Sequence, residues 1–153
     1  MKEKLKALNY KKIFIIAIVI MVIIGIFLGM KYFIGDDEEV SFEVLNQDQI
    51  PQKIQEILPR YKSLERALAC KVNDEIFVIV TRGEKATGGY AVHIDKVEQI
   101  KEAEEEKMIV YTTFKDPSVG DVVTQVSTYP HVVAKTNLKE LPDKIELKVK
   151  YDD

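Results

Sequence analysis

Residues 13–30, IFIIAIVIMVIIGIFLGM, contain no charged and no strongly polar side chain. Lys31 interrupts the run, and Tyr32, Phe33 and Ile34 extend it. A helix of 18 to 22 such residues spans roughly 27–33 Å, the thickness of a bilayer's hydrocarbon core. The segment 13–34 is therefore expected to be a transmembrane anchor. A cleaved signal peptide fits less well. The run exceeds an apolar region of about 7–15 residues, and no pair of small residues with cleavage-site spacing follows it.

The flanks orient this anchor. Residues 1–12 carry Lys2, Lys4, Lys6, Lys11 and Lys12 against Glu3 alone, whereas Asp36, Asp37, Glu38 and Glu39 follow the run. The positive-inside bias puts the basic tail, 1–12, in the cytoplasm and everything beyond Ile34 outside a cell membrane crossed once. Tyr10 and Tyr32 fall at the two expected interfaces, and the Lys31 stem is long enough to carry its ammonium to the headgroups. Gly25 and Gly29 form a G-x-x-x-G pattern that lets two helices approach closely, so a homodimer through the anchor is an expectation of this spacing.

Beyond Ile34 there are 16 basic side chains against 24 acidic ones, a net charge of −8. So acidic a domain is a poor match for nucleic acid or an anionic lipid surface. The tail lysines, by contrast, suit an anionic inner leaflet. Cys70 is the single cysteine and has no partner for an internal disulfide, so the outer domain must be held by its own core.

Residues 35–41, GDDEEVS, read as an acidic linker, and Phe42–Leu45 as a short strand. Ile50, Ile54, Ile57, Leu58 and Tyr61 recur at helical spacing. Asp48 is placed to cap that helix, Pro51 falls in its first turn, and Pro59 is expected to end it. Ala67–Val72 alternates, with Leu68, Cys70 and Val72 on one face. Asn73–Glu75 is turn chemistry and Ile76–Val80 is almost wholly apolar, which together predict a β-hairpin. GEKATGG (83–89) then separates that strand from YAVHIDKVEQI. There Tyr90, Val92 and Ile94 share one face, and His93 shares the other with Ala91 and Asp95.

Residues 101–107 read as a solvated turn and Met108–Phe114 as another strand. Lys115–Asp121 is a loop broken by Pro117 and Gly120. Residues 122–136 form one or two extended segments with Pro130 at a bend. Ile145, Leu147, Val149 and Tyr151 alternate in a last strand. One helix and six or seven strands define the fold class as α+β. A transmembrane helix is followed, over residues 42–153, by a small, mostly antiparallel β-sheet domain with one packed helix.

Chemistry-bearing patterns are sparse. Gly83 and Gly88 have the spacing that opens a phosphate loop, but no Lys-Ser/Thr pair follows and a strand replaces the helix. Gly88 and Gly89 are instead expected to serve a strand connection that needs positive φ and close backbone approach. His93 reads as an exposed strand residue without companions at metal-ligand spacing, and His131 follows Tyr129-Pro130. A Cys70–His nucleophilic pair would need a free thiol where the sequence reads as strand core. The acidic runs 36–39 and 104–106 lack the alternation and glycine of a calcium loop. No metal, no cofactor and no catalytic set is expected, and the chain is not read as an enzyme.

Two separated motifs remain, Arg82-Gly83-x-Lys85-x-Thr87-Gly88-Gly89-Tyr90 and Thr128-Tyr129-Pro130. With the β-rich context over about residues 64–136, they make the chain resemble the PrcB C-terminal domain family. That family is named for a subunit stabilising a bacterial surface protease complex. His131 departs from the pattern, since another aromatic commonly follows the second motif in the family. The helical anchor also differs from the lipid anchors of some members. The resemblance implies binding or stabilisation of a partner protein, with a protease as the partner its name suggests, and it brings no catalytic residues. The candidate binding residues it marks are Arg82, Lys85, Thr87, Gly88, Gly89, Tyr90, Tyr129, Pro130 and His131, with Tyr90 either core or recognition surface. The alternative is a small-ligand sensor whose pocket is shared by the two motif loops.

Overall fold

In a computed structural model the described residues are 10–33, 37–102 and 105–152. Lys2, Lys4 and Lys6 of the basic tail, Ile34, Gly35 and Asp36 at the anchor–linker junction, and Glu104 lie outside them, as do the side chains of Lys31 and Tyr32. The chain forms two units, divided after Gly35.

The first unit is one helix, α1 (Tyr10–Phe33). It begins three residues before the apolar run and includes Lys11 and Lys12. Its apolar side chains are spread all round the axis and stay exposed. The stretch Tyr10–Gly29 has a mean hydropathy of 2.9, long and apolar enough to cross a membrane.

The second unit contains eight strands and one helix: β1 (Asp37–Glu39), β2 (Phe42–Val44), α2 (Gln52–Tyr61), β3 (Glu65–Val72), β4 (Glu75–Arg82), β5 (Ala91–Glu102), β6 (Glu105–Lys115), β7 (His131–Thr136) and β8 (Lys144–Asp152). They form two four-stranded sheets, ordered β1-β5-β6-β8 and β2-β7-β4-β3. All pairings are antiparallel except β6 with β8, which is parallel. The α+β class holds, with the strands divided between two sheets rather than gathered in one.

Strand β4 shows why the sequence takes this form. Val78 and Val80 point into the layer between the sheets, where Val92, Ile94, Val97, Met108, Val110 and Phe114 meet them. Phe77 and Ile79 point the other way, onto Ile54 of α2. Both faces are covered, so Ile76–Val80 is apolar throughout instead of alternating. Leu68, Cys70 and Val72 of β3 share the α2 face, as their alternation predicts. Burial there pushes the Cys70 thiol pKa upward. Asn73 and Asp74 both take positive φ (51° and 64°), the conformation a two-residue hairpin turn requires.

The structure differs from the sequence-based expectations at several points. Asp48 does not cap α2: the helix begins at Gln52 after Pro51, with no side-chain cap, and residues 47–49 form a separate turn. Pro59 does not end it. Proline removes only its own N–H donor, and the helix runs on to Tyr61, closed by Lys62 N–H donating to Leu58 O at 3.0 Å. Within the expected acidic linker, Asp37–Glu39 pair with Glu98–Ile100 as an edge strand. In β5 the register shifts between Ile94 and Lys96. Asp95 is the extra residue, which lets Val92, Ile94 and Val97 reach the same core despite broken alternation. The expected solvated turn at 101–107 is taken up largely by the ends of β5 and β6.

Candidate functional site

β4 ends at Arg82, and the first motif follows it as a loop, residues 83–90. The second motif leads into β7 from the long connection 116–130. Apart from a bridge at Thr128, residues 122–130 contain no strand, because their backbone partners are a loop.

The two motifs are zipped together. Lys85 and Thr128 exchange both backbone hydrogen bonds at 2.9 Å, and Arg82 N–H donates to Pro130 O at 2.9 Å. The Thr128 hydroxyl donates to Thr87 O at 2.7 Å, and Gly88 N–H donates to Thr124 O at 2.9 Å. Both glycines are dictated by this contact. A Cβ on Gly88 would lie 2.5 Å from Thr124 Oγ1. Gly89 has φ of +90°, and its Cβ would meet Val123 Cγ1 at 2.7 Å and Pro117 Cβ at 2.9 Å. Gly89 takes the positive φ expected of the strand connection, whereas Gly88 does not and is crowded by the Thr124 side chain instead.

Arg82 is an internal strut. Only 2% exposed, its Nη1 donates to Lys115 O at 2.7 Å and its Nη2 pairs with Asp116. Its guanidinium carbon lies 4.9 Å from the Phe114 ring centroid and 5.0 Å from that of Tyr90. Arg82 thus turns its guanidinium inward and ties the Ala91–Lys115 end of the β5–β6 pair to β4. Tyr90 is half-buried, with Lys85 Nζ 5.5 Å from its ring centroid. It belongs mainly to this stack.

Tyr129, Pro130 and His131 lie on the other side of the zipper, toward α2. Lys62 Nζ stands 4.4 Å from the Tyr129 ring centroid. The charge of Glu84, with partial burial and a hydrogen bond to Glu84, raises the Tyr129 pKa above the usual phenol range. Tyr129 O accepts from His131 Nδ1 at 2.8 Å. The Thr81 hydroxyl donates to Leu64 O at 2.6 Å, pinning the turn after α2 to the strand that pairs with His131. A groove of about 490 Å³ runs between α2 and residues 127–131, and none of its lining comes from residues 82–90. The two motif loops are adjacent, but they do not share one pocket. His93 is exposed on β5, away from the core. Among the described residues no group of three His, Cys, Asp or Glu is arranged to hold a metal ion.

One feature escaped the sequence reading. The loop held down by the glycine pair presents Val119 and Val122 fully to solvent and Val126 at 61% exposure. Its tip is a turn closed by Ser118 N–H donating to Asp121 Oδ2 (2.7 Å) and Asp121 N–H donating to Ser118 O (3.0 Å), with Gly120 at φ +97°. The signal lay in VGDVVTQV, where valines follow the breakers Pro117 and Gly120 too closely for an ordinary solvated loop.

The zipped end thus defines a two-sheet domain carrying a rigid, partly apolar edge. Residues 76–137 match the family model described as PrcB C-terminal, which begins in β4, ends just past β7 and includes both motifs. The match covers less than half of the chain; it starts later than the residue 64 suggested by the motif resemblance and leaves β3 outside. No curated protein and no solved structure matches the chain.

Proposed function

We propose that the chain is a membrane-anchored, extracytoplasmic protein-binding module that works by binding rather than catalysis. The observation that carries this reading is the 116–130 loop, which holds Val119 and Val122 in solvent on a backbone locked by the glycine motif. Exposed apolar side chains on a preorganised loop lose little conformational freedom on binding, so most of their burial goes into affinity. The family match suggests a protease-complex-associated domain, and a protease-containing assembly is the partner class proposed. Support for a tethered arrangement comes from α1, with its basic flank as the cytoplasmic side. Gly25 and Gly29 have open space around them, which suits close approach of a second anchor helix.

Within the outer unit the chain enters at Asp37, opposite Ile100, while the motif end adjoins Ala91 at the other end of β5. Nine residues of extended strand separate them by about 30 Å. The apolar loop therefore lies well away from the attachment point. A photo-crosslinking residue placed at Val122 of the full chain, in its native membrane, should yield a discrete protein adduct that the same residue at Lys150 does not. Absence of an adduct at both Val119 and Val122, or identical products from Lys150, would sink the reading.

A further inference from the structure

The groove between α2 and residues 127–131 has a chemistry unlike the rest of the domain. Ile50, Leu58 and Pro59 supply apolar lining, Lys62, Tyr129 and His131 supply polar groups, and the remaining lining side chains are amides and hydroxyls. No carboxylate lines it, although the sequence beyond Ile34 holds 24 acids against 16 bases. The cleft bounded by β1 and the β5–β6 pair is the opposite case, lined by Glu38, Glu39, Glu106 and Glu140.

One group in the groove is free to recognise an anion. Lys62 packs its ammonium over the Tyr129 ring and has no carboxylate within ion-pair distance among the described residues. His131 donates through Nδ1, because its partner there is the Tyr129 carbonyl, and in the neutral ring this makes Nε2 a hydrogen-bond acceptor. We infer that the groove takes an extended acidic segment of the partner protein. Apolar side chains of that segment pack on Ile50, Leu58 and Pro59, and its carboxylate is met by Lys62. This inference rests on the protein-binding reading and names the chemistry of the partner. The net charge of −8 on the domain repels anionic peptides everywhere else, so recognition of an acid must be local to this groove.

The test presents a random, end-capped peptide library to the full-length protein in zwitterionic nanodiscs. Retained peptides should be enriched in Asp and Glu beside apolar residues, against the bulk field. Lys62→Met, which keeps the aliphatic packing on Tyr129, and Lys62→Glu should each weaken the selected peptides, Lys62→Glu by about tenfold or more. Lys62→Arg should retain them. Absence of any selected peptide, lack of acidic enrichment, or equal binding by Lys62→Glu would overturn the inference. Selected peptides that depend on Val122 but not on Lys62 would overturn it while leaving the protein-binding reading standing. Loss of both peptide binding and Val122 crosslinking would remove the two together.

Discussion

Strand β4 and the 116–130 loop are both rich in valine and treat it in opposite ways. Val78 and Val80 lie between the two sheets with no exposure, and Phe77 and Ile79 beside them are covered by α2. Val119 and Val122 project fully into solvent from a loop that is itself well fixed. In β4 the backbone is paired on both edges, so every side chain has somewhere to be buried. In the loop the backbone is secured by a few specific bonds to residues 85–88 and to its own turn, and the side chains are left over. The contrast separates apolar residues that stabilise this fold from those it merely displays.

If that separation is right, substitutions should fall in a definite order of effect on stability. Phe77→Ala, which empties the interface between β4 and α2, should cost about 3–5 kcal/mol by chemical denaturation. A cost near that of a surface change would mean α2 packs only loosely. Gly89→Ala, which forces a side chain to φ +90° against Pro117 and Val123, should cost about 1–3 kcal/mol. Its effect should be local, with amide exchange accelerating across 117–126 while β4 keeps its protection; uniform acceleration would show that loop and core are one unit.

Asp116→Asn should cost about 1 kcal/mol, because the carboxylate is half-exposed while the Arg82 guanidinium is buried and keeps its bond to the Lys115 carbonyl. A loss as large as that of Phe77→Ala would make the strut part of the core rather than a fastening. Val122→Ser should change stability by no more than about 0.5 kcal/mol yet abolish crosslinking to the partner from a probe at Val119. Significant unfolding by this variant would break the comparison outright.

The smallest expected effect concerns pH. Burial against α2 favours the neutral Cys70 thiol, so its folded-state pKa lies above the unfolded value. Its contribution to stability is intact below the ordinary thiol range and fades as pH rises through the elevated value. Thiol-reactive labelling at mildly alkaline pH should accordingly be slow in the folded protein and speed up on denaturation. Equal rates in both states would show that the thiol is not shielded.

Much of this architecture was legible because it rests on local pattern. The apolar run gave α1, the Asn73-Asp74 pair gave the β3–β4 hairpin, and the spacing of Ile54, Ile57 and Leu58 gave α2. Partner choice between distant segments was not legible. Nothing local in Lys144–Asp152 says that β8 runs parallel to β6, and nothing in GDDEEVS says that three of its residues complete a sheet edge. The Asp95 bulge hides in a near-alternating stretch, because a single inserted residue leaves composition unchanged. At the candidate site the two motifs lie side by side, and packing decides what each of their residues touches. Arg82 looks like a surface cation in sequence, and only packing against Phe114, Tyr90 and Asp116 makes it a strut. Lys62 lies outside both motifs and Glu84 at a variable position of the first, yet both flank Tyr129.

The sequence by itself determined the long apolar helix, the acidic charge balance beyond it, the double-sided apolar strand and the likeness of the motif-bearing segment to a known family. Each follows from residue type and short-range spacing, which any conformation of the chain carries. Tertiary structure alone decided that the two motifs meet, that Gly88 and Gly89 are demanded by Thr124, Val123 and Pro117, and that three valines stay outside. Those outcomes depend on contacts between residues some thirty or more positions apart, whose formation is set by how two sheets and a helix close around a shared core.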